Sequence, residues 1–166
     1  MLIYHPAYDA YHCAFRALLI IETLGSVEID KFRILDFYLV FPAELKTVRL
    51  PREHSQEKKR AATFANDYHG PVNNTLTFRD IEPIQRAAIS ALAASNLIDN
   101  KQFELGHAKR TEKLIPTEIS ELIKIAKDKN DSMNEYILSK FSKIPLRGID
   151  GLKDRTKLME YRYDVA

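Results

Sequence analysis

The stretch AYDAYHCAFRALLIIETL, from Ala7 to Leu24, carries the strongest structural pattern in the sequence. A helix that is apolar over much of its circumference is typical of the centre of a core. Pro6 suits the first turn of such a helix, and Gly25 suits its C-terminal end. The stretch therefore predicts a central helix that other helices surround. Its apolar side chains fall at helical spacing in two adjacent rows, which are Tyr8, Tyr11, Phe15, Leu18 and Leu19, and then Ala14, Ala17, Ile21 and Leu24.

Two more helices are predicted on the C-terminal side of this stretch. The first runs from Asp30, which can cap it, to Phe41, where Pro42 stops it. The second covers about residues 79–95 and is rich in alanine, so another helix could approach it closely. Residues 42–78 between them contain prolines and turn pairs, and we interpret them as an inserted arm.

A β-hairpin is predicted over residues 97–115. Phe103 and Leu105 alternate with polar residues, and glycine, aspartate and asparagine supply turn signals on both sides. This alternation is typical of a short strand with one face on the core.

The C-terminal part of the sequence predicts two further helices and a charged tail. Thr117 can cap the fourth helix, and Ser132 with Glu135 has the spacing of a capping box that opens a fifth helix through about Lys143. The tail from residue 152 onward is charged but also carries aromatic side chains. Such a tail is typical of a segment that docks on its own domain or on a partner.

The order of these elements is helix, short extended link, helix, arm, helix and hairpin. Without the arm at residues 42–78, this is the order of a winged-helix domain, in which residues 79–95 take the recognition-helix position and residues 97–115 form the wing. The predicted fold is therefore mostly α, with a winged-helix-like domain at residues 1–116 and a C-terminal helical extension and tail at residues 117–166.

The composition is that of an ordinary globular protein. The chain has 166 residues, of which 45% are hydrophobic and 29% charged, enough for one domain with its own core. A net charge of +2 excludes a histone-like nucleic-acid protein, and a single cysteine excludes a disulfide framework. No apolar run approaches the ~20 residues of a membrane span, and no secretory signal pattern is evident, so we expect a cytoplasmic protein.

Basic charge concentrates in two short segments. Residues 46–60 carry six cations and two anions, and residues 101–113 carry four cations and two anions. Two interpretations are open, namely solvated surface segments or contacts with the phosphates of a nucleic acid. The second requires the cations to share one face, which a linear sequence does not show.

Catalytic and metal-binding patterns are missing from the sequence. It has no glycine-rich phosphate loop, no paired histidines of a metalloprotease and no Cys-x-x-Cys motif. His12 stands beside Cys13, but neighbouring residues on a helix point about 100° apart and do not converge on one ion. The sequence therefore predicts a protein that is not an enzyme and has neither a metal site nor a cofactor.

Two sets of residues are candidates for binding. Cations on the predicted recognition helix and wing suit DNA, and aromatic or arginine side chains are the usual anchors of protein interfaces. Because the predicted third helix is rich in alanine, it is poorly equipped to read bases, which favours protein binding. The DNA-contact candidates are Arg79, Arg86, Lys101, Lys109 and Arg110. The partner-contact candidates are Tyr8, Tyr11, Arg16, Arg33, Tyr38, Tyr161 and Tyr163.

Two framework motifs resemble a known family. They are YDAYHCAFR at residues 8–16 and IDKFRILDFYLVFP at residues 29–42, and residues 84–99 continue the likeness. Together they resemble the small middle component of bacterial ABC-three-component systems, which include the Lamassu type of anti-phage and anti-plasmid defence. The resemblance covers residues 4–116 and involves hydrophobic framework residues, not catalytic ones.

The resemblance implies a non-catalytic, winged-helix-like adaptor. In this family the adaptor is expected to lie between an SMC-like ABC ATPase, which senses DNA, and an effector that is often a nuclease. ATP hydrolysis and any DNA cleavage would belong to those partners. The alternative is a stand-alone winged-helix transcriptional regulator, which would need dimer symmetry and a basic helix face.

Overall fold

The computed structural model describes residues 5–129 and 132–161. These residues are mostly helical, which confirms the predicted class. In chain order the α-helices and strands are α1 (Ala10–Leu24), β1 (Ser26–Glu28), α2 (Ile29–Val40), α3 (Ser55–Ala62), α4 (Asn74–Asp80), α5 (Glu82–Ala94), α6 (Asn100–Glu104), β2 (His107–Lys109), α7 (Thr117–Asp128), α8 (Asn134–Ser139) and α9 (Leu152–Thr156). Short 3-10 helices lie at Pro6–Tyr8, Pro42–Thr47, Arg52–His54 and Phe141–Lys143.

Helix α1 lies at the centre of the molecule, as its sequence predicts. It packs against α2, α5, α7 and α8, and its middle turns are buried. Asp9 caps it by accepting a hydrogen bond from the His12 N–H at 3.0 Å, so the helix begins at Ala10 and a 3-10 turn precedes it. Gly25 follows its last residue with a φ of 72°, in the left-handed region that favours glycine.

The predicted starts of the second and third helices need correction. Helix α2 begins one residue before Asp30, which lies in its first turn and does not cap it. The helix predicted over residues 79–95 divides at Ile81, whose side chain is fully buried. Because Pro83 has no N–H to donate to the carbonyl of Arg79, α4 cannot continue, and α5 begins as a new helix.

The hairpin predicted over residues 97–115 is wrong in its central part. Asp99 accepts a hydrogen bond from the Gln102 N–H at 2.9 Å and thereby caps the short helix α6 where the alternation predicts a strand. Strand β2 pairs antiparallel with β1 instead, and an isolated bridge joins Ile98 to Arg110 beside it. The Asp99 cap makes this segment helical, because a short run of alternating apolar and polar residues is only a weak signal for a strand.

The C-terminal helices are present with shifted ends. Pro116 occupies the cap position of α7, so Thr117 is the first helical residue and not the cap. Helix α8 ends at Ser139, and a 3-10 turn replaces the predicted last helical turn. The predicted capping box is wrong, because Met133 holds the cap position of α8 with no side-chain cap bond, and the hydroxyl of Ser132 accepts only a bond from the N–H of Asn134 at 3.4 Å.

The described part of the C-terminal tail, residues 152–161, docks on its own domain. Leu152 is fully buried, and the carboxylate of Asp154 accepts a hydrogen bond from the guanidinium of Arg49 at 2.7 Å. Hydrogen bonds from Lys157 and from the N–H of Asp150 lower the pKa of Asp154 to about 2. Asp154 is therefore ionised near neutral pH and holds the tail against the inserted arm.

The C-terminal segment, described over residues 117–129 and 132–161, shares the hydrophobic core of the rest of the molecule. The cluster of buried apolar side chains includes Ile20 and Phe37 from the N-terminal helices and Ile137 and Phe141 from the C-terminal ones. The helical extension is thus part of one packed unit.

Replacing Tyr38 by phenylalanine is expected to raise the free energy of unfolding by about 1–2 kcal/mol. The side chain is fully buried, and its hydroxyl has no hydrogen-bond partner among the described residues. Burial raises the pKa of Tyr38 well above its usual value, so the hydroxyl stays protonated and its desolvation is uncompensated. Urea unfolding of the two proteins measures the difference. A loss of stability would contradict this expectation and show that the hydroxyl is hydrogen-bonded in solution.

Candidate partner-binding surface

A buried polar network joins the three central helices. Asp36 on α2 is fully buried, and it accepts hydrogen bonds from Arg16 Nε on α1 at 2.6 Å and from Gln85 Nε2 on α5 at 2.9 Å. The Gln85 side chain in turn accepts a hydrogen bond from Arg33 Nε at 3.1 Å. A buried carboxylate is stable only with its donors in place, so this network fixes the orientation of α1, α2 and α5.

Two partner-contact candidates on α2 are buried, and the prediction of a surface contact is wrong for both. Arg33 is 4% exposed, pairs with Glu82 at 3.0 Å and lies 4.5 Å over the ring of Phe78. Burial lowers the pKa of Arg33, and the charge of Glu82 opposes this shift. Tyr38 is fully buried. Because other elements cover most of α2, its arginine and tyrosine face the core.

Arg16 is only partly accessible. Besides its bond to Asp36, its Nη1 donates to the carbonyl oxygen of Pro6 at 3.2 Å. Its side chain is 11% exposed. Arg16 therefore pins the N-terminal 3-10 turn to the core and leaves little of its guanidinium for a partner.

Two exposed tyrosines lie beside an apolar hollow at the start of α1. Tyr8 is 53% exposed, and Tyr11 is 72% exposed. Their rings lie near two imidazoles, with centroids 5.8 Å apart for Tyr8 and His5 and 5.9 Å apart for Tyr11 and His12. The two imidazoles line a hollow of about 580 Å³ together with Phe15 and other apolar side chains. We call the two tyrosines and this hollow the aromatic surface.

The sequence alone does not indicate the walls of this hollow. His69 comes from the inserted arm, and its carbonyl oxygen lies 3.0 Å from His5 Nε2. Leu39 comes from the end of α2. A contact between a loop and a distant helix depends on the tertiary path, for which periodicity carries no signal. The turn pair Gly70 and Pro71 next to His69 is a local hint that the arm folds back.

Of the two tail candidates, the structure describes one. The hydroxyl of Tyr161 accepts a hydrogen bond from Lys157 Nζ at 2.9 Å, and its ring centroid lies 4.2 Å from that ammonium. Tyr163 lies outside the described residues. A contact between these tyrosines and a partner stays a prediction.

Four of the five DNA-contact candidates are exposed, on four different elements. Arg79 lies on α4, Lys101 on α6 and Lys109 on β2. Arg86 lies on α5, where its Nε donates to the carboxylate of Glu82 at 2.7 Å. Contact of these cations with DNA stays a prediction.

Arg110 differs from the other four DNA-contact candidates because its guanidinium is bound inside the molecule. It pairs with Glu22 of α1 and donates to the carbonyl oxygens of Thr111 at 2.7 Å and Lys113 at 2.6 Å. A guanidinium has five N–H donors, and these bonds use most of them. Arg110 therefore ties the end of β2 to α1 and has little capacity left for a phosphate.

The two basic segments contact different parts of the molecule. In residues 46–60, Arg49 pairs with Asp154 of the tail. In residues 101–113, Arg110 pairs with α1. Each segment therefore uses an arginine to hold the fold, which favours the interpretation as structured surface segments.

Metal and nucleophile chemistry finds no support in the described part of the chain. Within residues 5–129 and 132–161, no group of three or more His, Cys, Asp or Glu side chains is placed to hold a metal ion. Burial, and next the charge of Asp36, raises the pKa of Cys13 to about 12, so its thiol is not ionised near neutral pH. No helix in these ranges is long and apolar enough to cross a membrane.

The structure is that of a small, mostly helical protein with a polar network between its central helices and two exposed tyrosines near the start of α1. The family model for ABC-three component (ABC-3C) system Middle Component 5 matches residues 2–164. The chain therefore belongs to this family and is one component of a multi-component system. The match extends over the C-terminal helices and the tail, beyond the residues that carry the sequence resemblance. No curated protein and no solved structure matches the chain.

Proposed function

We propose that the chain is a non-catalytic adaptor that bridges an SMC-like ABC ATPase and an effector, often a nuclease. The complex would be a cytoplasmic anti-phage and anti-plasmid system of the Lamassu type. Membership of the middle-component family supports a role between other components. The adaptor would hold the effector inactive until DNA engagement changes the geometry of the ATPase, and ATP hydrolysis and DNA cleavage belong to the partners.

The observation that carries this proposal is the aromatic surface. Tyr8 and Tyr11 expose large rings beside an apolar hollow, and such rings are frequent anchors of protein interfaces. The network around Asp36 holds α1 against α2 and α5 beneath them. A rigid surface binds a partner with a smaller loss of conformational entropy, which suits an adaptor.

The proposal includes a winged-helix-like arrangement of residues 1–116. Helices α1, α2 and α5 follow in the expected order, and β1, β2 and the bridge between Ile98 and Arg110 support a small sheet beside them. In this arrangement α5 takes the recognition-helix position, and α6 lies within the wing.

The exposed face of α5 favours protein contact over base reading. It carries Ala87, Ala91 and Ala94, whose side chains neither donate nor accept hydrogen bonds. Arg86 on the same helix is paired with Glu82. The alternative function, a stand-alone winged-helix regulator, rests on the exposed cations of α4, α6 and β2.

Replacing Tyr8 and Tyr11 together by alanine is expected to weaken assembly of the complex by about 30-fold or more, equivalent to about 2 kcal/mol. The tagged chain is co-expressed with its neighbouring genes and purified through a high-salt wash, and the proteins that co-elute are identified and titrated. The control is Leu114→Ala, which removes another apolar side chain that is 89% exposed. The control is expected to assemble like the unaltered chain.

An ABC ATPase and a second large protein that co-elute with the unaltered chain would support the adaptor. Elution alone, as a symmetric dimer that binds DNA with a steep salt dependence, would establish the regulator instead. In that case, neutralising the exposed candidates Arg79, Arg86 and Lys109 together should weaken DNA binding and flatten its salt dependence.

A further inference from the structure

A cleft with both polar and apolar walls opens between the start of α2 and the end of α8. Its volume is about 520 Å³, within the range of ligand sites. Its walls carry Lys31 of α2, Ser26 and His107 of the two strands, and Ser139 and Lys143 of the C-terminal segment. The cleft shares no lining residue with the hollow of the aromatic surface, so it is a second place where the molecule could bind.

Lys31 is a half-buried cation that makes no hydrogen bond or ion pair with the described residues. Burial lowers the pKa of Lys31, and the charge of Glu28 opposes this shift without forming an ion pair. Glu28 itself is paired with Arg147. A partly desolvated ammonium without a bound counter-ion is unfavourable, so an anionic ligand would stabilise it.

The other walls of the cleft also present donors. Lys143 is exposed and makes no ion pair with the described residues. The hydroxyls of Ser26 and Ser139 make no side-chain hydrogen bond within the described ranges. An ammonium only donates, and a hydroxyl can donate, so these four side chains suit an oxyanion.

The cleft suits a carboxylate better than a phosphate. Among the described residues no arginine lines it, whereas phosphate sites commonly use bidentate arginines or runs of backbone N–H groups. The carboxylate of Glu28 in its wall repels a dianion more strongly than a monoanion. Leu24, Val27 and Leu138 add apolar walls that suit the stem of an acidic side chain or an apolar neighbour.

We propose that this cleft binds an acidic segment of another component of the complex, with a carboxylate held between Lys31 and Lys143. The inference rests on the proposed adaptor function and adds a second contact to the aromatic surface. A protein that bridges two partners needs two separate surfaces, and the cleft supplies the charged one.

The double substitution Lys31→Glu with Lys143→Glu is expected to weaken the binding of one partner by at least about tenfold. The control, Lys124→Glu with Lys127→Glu, makes the same charge change at exposed positions of α7 and is expected to leave binding unchanged. Circular dichroism checks that both variants fold. Equal binding by the folded cleft variant and the control would overturn the inference.

Carbodiimide cross-linking of the unaltered complex tests the contact without any substitution. The reagent joins an amine to a carboxylate in ion-pair contact, so mass spectrometry is expected to find Lys31 or Lys143 joined to an Asp or Glu of a partner. Cross-links to partners only from other lysines, such as Lys124 and Lys127, would overturn the inference.

The outcomes separate this inference from the proposed function. If the complex forms but neither the substitution of Lys31 and Lys143 nor the cross-linking gives the expected result, the cleft contact is overturned and the adaptor function still stands. If the unaltered chain forms no complex, both the cleft contact and the adaptor function are overturned. A nuclear magnetic resonance titration of the isolated chain with inorganic phosphate or ATP is expected to leave the cleft signals unchanged. Saturable shifts of those signals would show that the cleft binds a phosphate ligand, and would overturn the proposal that it binds a carboxylate of a partner.

Discussion

Asp36→Ala is expected to lower the free energy of unfolding by about 3–5 kcal/mol. The substitution removes a fully buried carboxylate that accepts hydrogen bonds from Arg16 on α1 and Gln85 on α5. It leaves the Arg16 guanidinium, whose side chain is 11% exposed, without its counter-ion. The loss is large because an uncompensated charge then remains in the interior, where water solvates it poorly.

Urea unfolding measures this loss, and the thermal midpoint is expected to fall by at least about 6 °C. The control is Asp67→Ala, which removes an exposed carboxylate of the arm and is expected to change stability by no more than about 0.5 kcal/mol. Equal stability of the two variants would mean that the network does not hold the three central helices together.

Gly151→Ala is expected to lower the free energy of unfolding by about 2–4 kcal/mol and to release the tail. A Cβ atom there would lie 2.7 Å from the carbonyl carbon of Arg147 and 3.0 Å from the carbonyl oxygen of Leu146. These are backbone atoms, and the Leu152 N–H holds the turn closed by donating to the carbonyl of Pro145 at 2.7 Å. The turn must therefore open, and α9 loses its position on the core.

Hydrogen exchange of residues 144–161 follows the release of the tail, and urea unfolding follows the stability. The matched control is Gly70→Ala on the exposed arm, where an added Cβ would lie 3.3 Å from the carbonyl oxygen of Asn66. It is expected to change stability by less than about 1 kcal/mol. If Gly151→Ala leaves the exchange of the tail unchanged, the turn is not what holds α9 in place.

The helices could be predicted where the apolar pattern is long. The two rows of α1 and the glycine after it locate that helix, because many residues repeat one period. The prediction of a β-hairpin after α5 failed because two short signals compete in that segment. Phe103 and Leu105 alternate with polar residues, which is typical of a strand. However, the side chain of Asp99 caps a helical turn, and it accepts a hydrogen bond from a backbone N–H that would have no acceptor at the edge of a sheet.

The candidate surface could be predicted only by residue type. Tyr8 in the first 3-10 helix and Tyr11 on α1 are exposed, yet Arg33 and Tyr38 on α2, which are the same kinds of anchor, are buried. Helix α2 packs against α1 and α8 and is joined to α5 by the bond between Arg33 and Gln85, whereas the first residues of α1 are exposed. Which side of a helix is covered depends on the paths of other segments.

The sequence by itself determined a mostly helical chain with a central α1 and without known catalytic motifs, because spacing and residue type are local properties. Only the tertiary structure decided which charges are buried and where the clefts lie. Arg33 and Gln85 are 52 positions apart in the chain, yet their side chains meet beside Asp36. A buried charge is stable only when donors from distant segments arrive together, and no local pattern encodes that meeting.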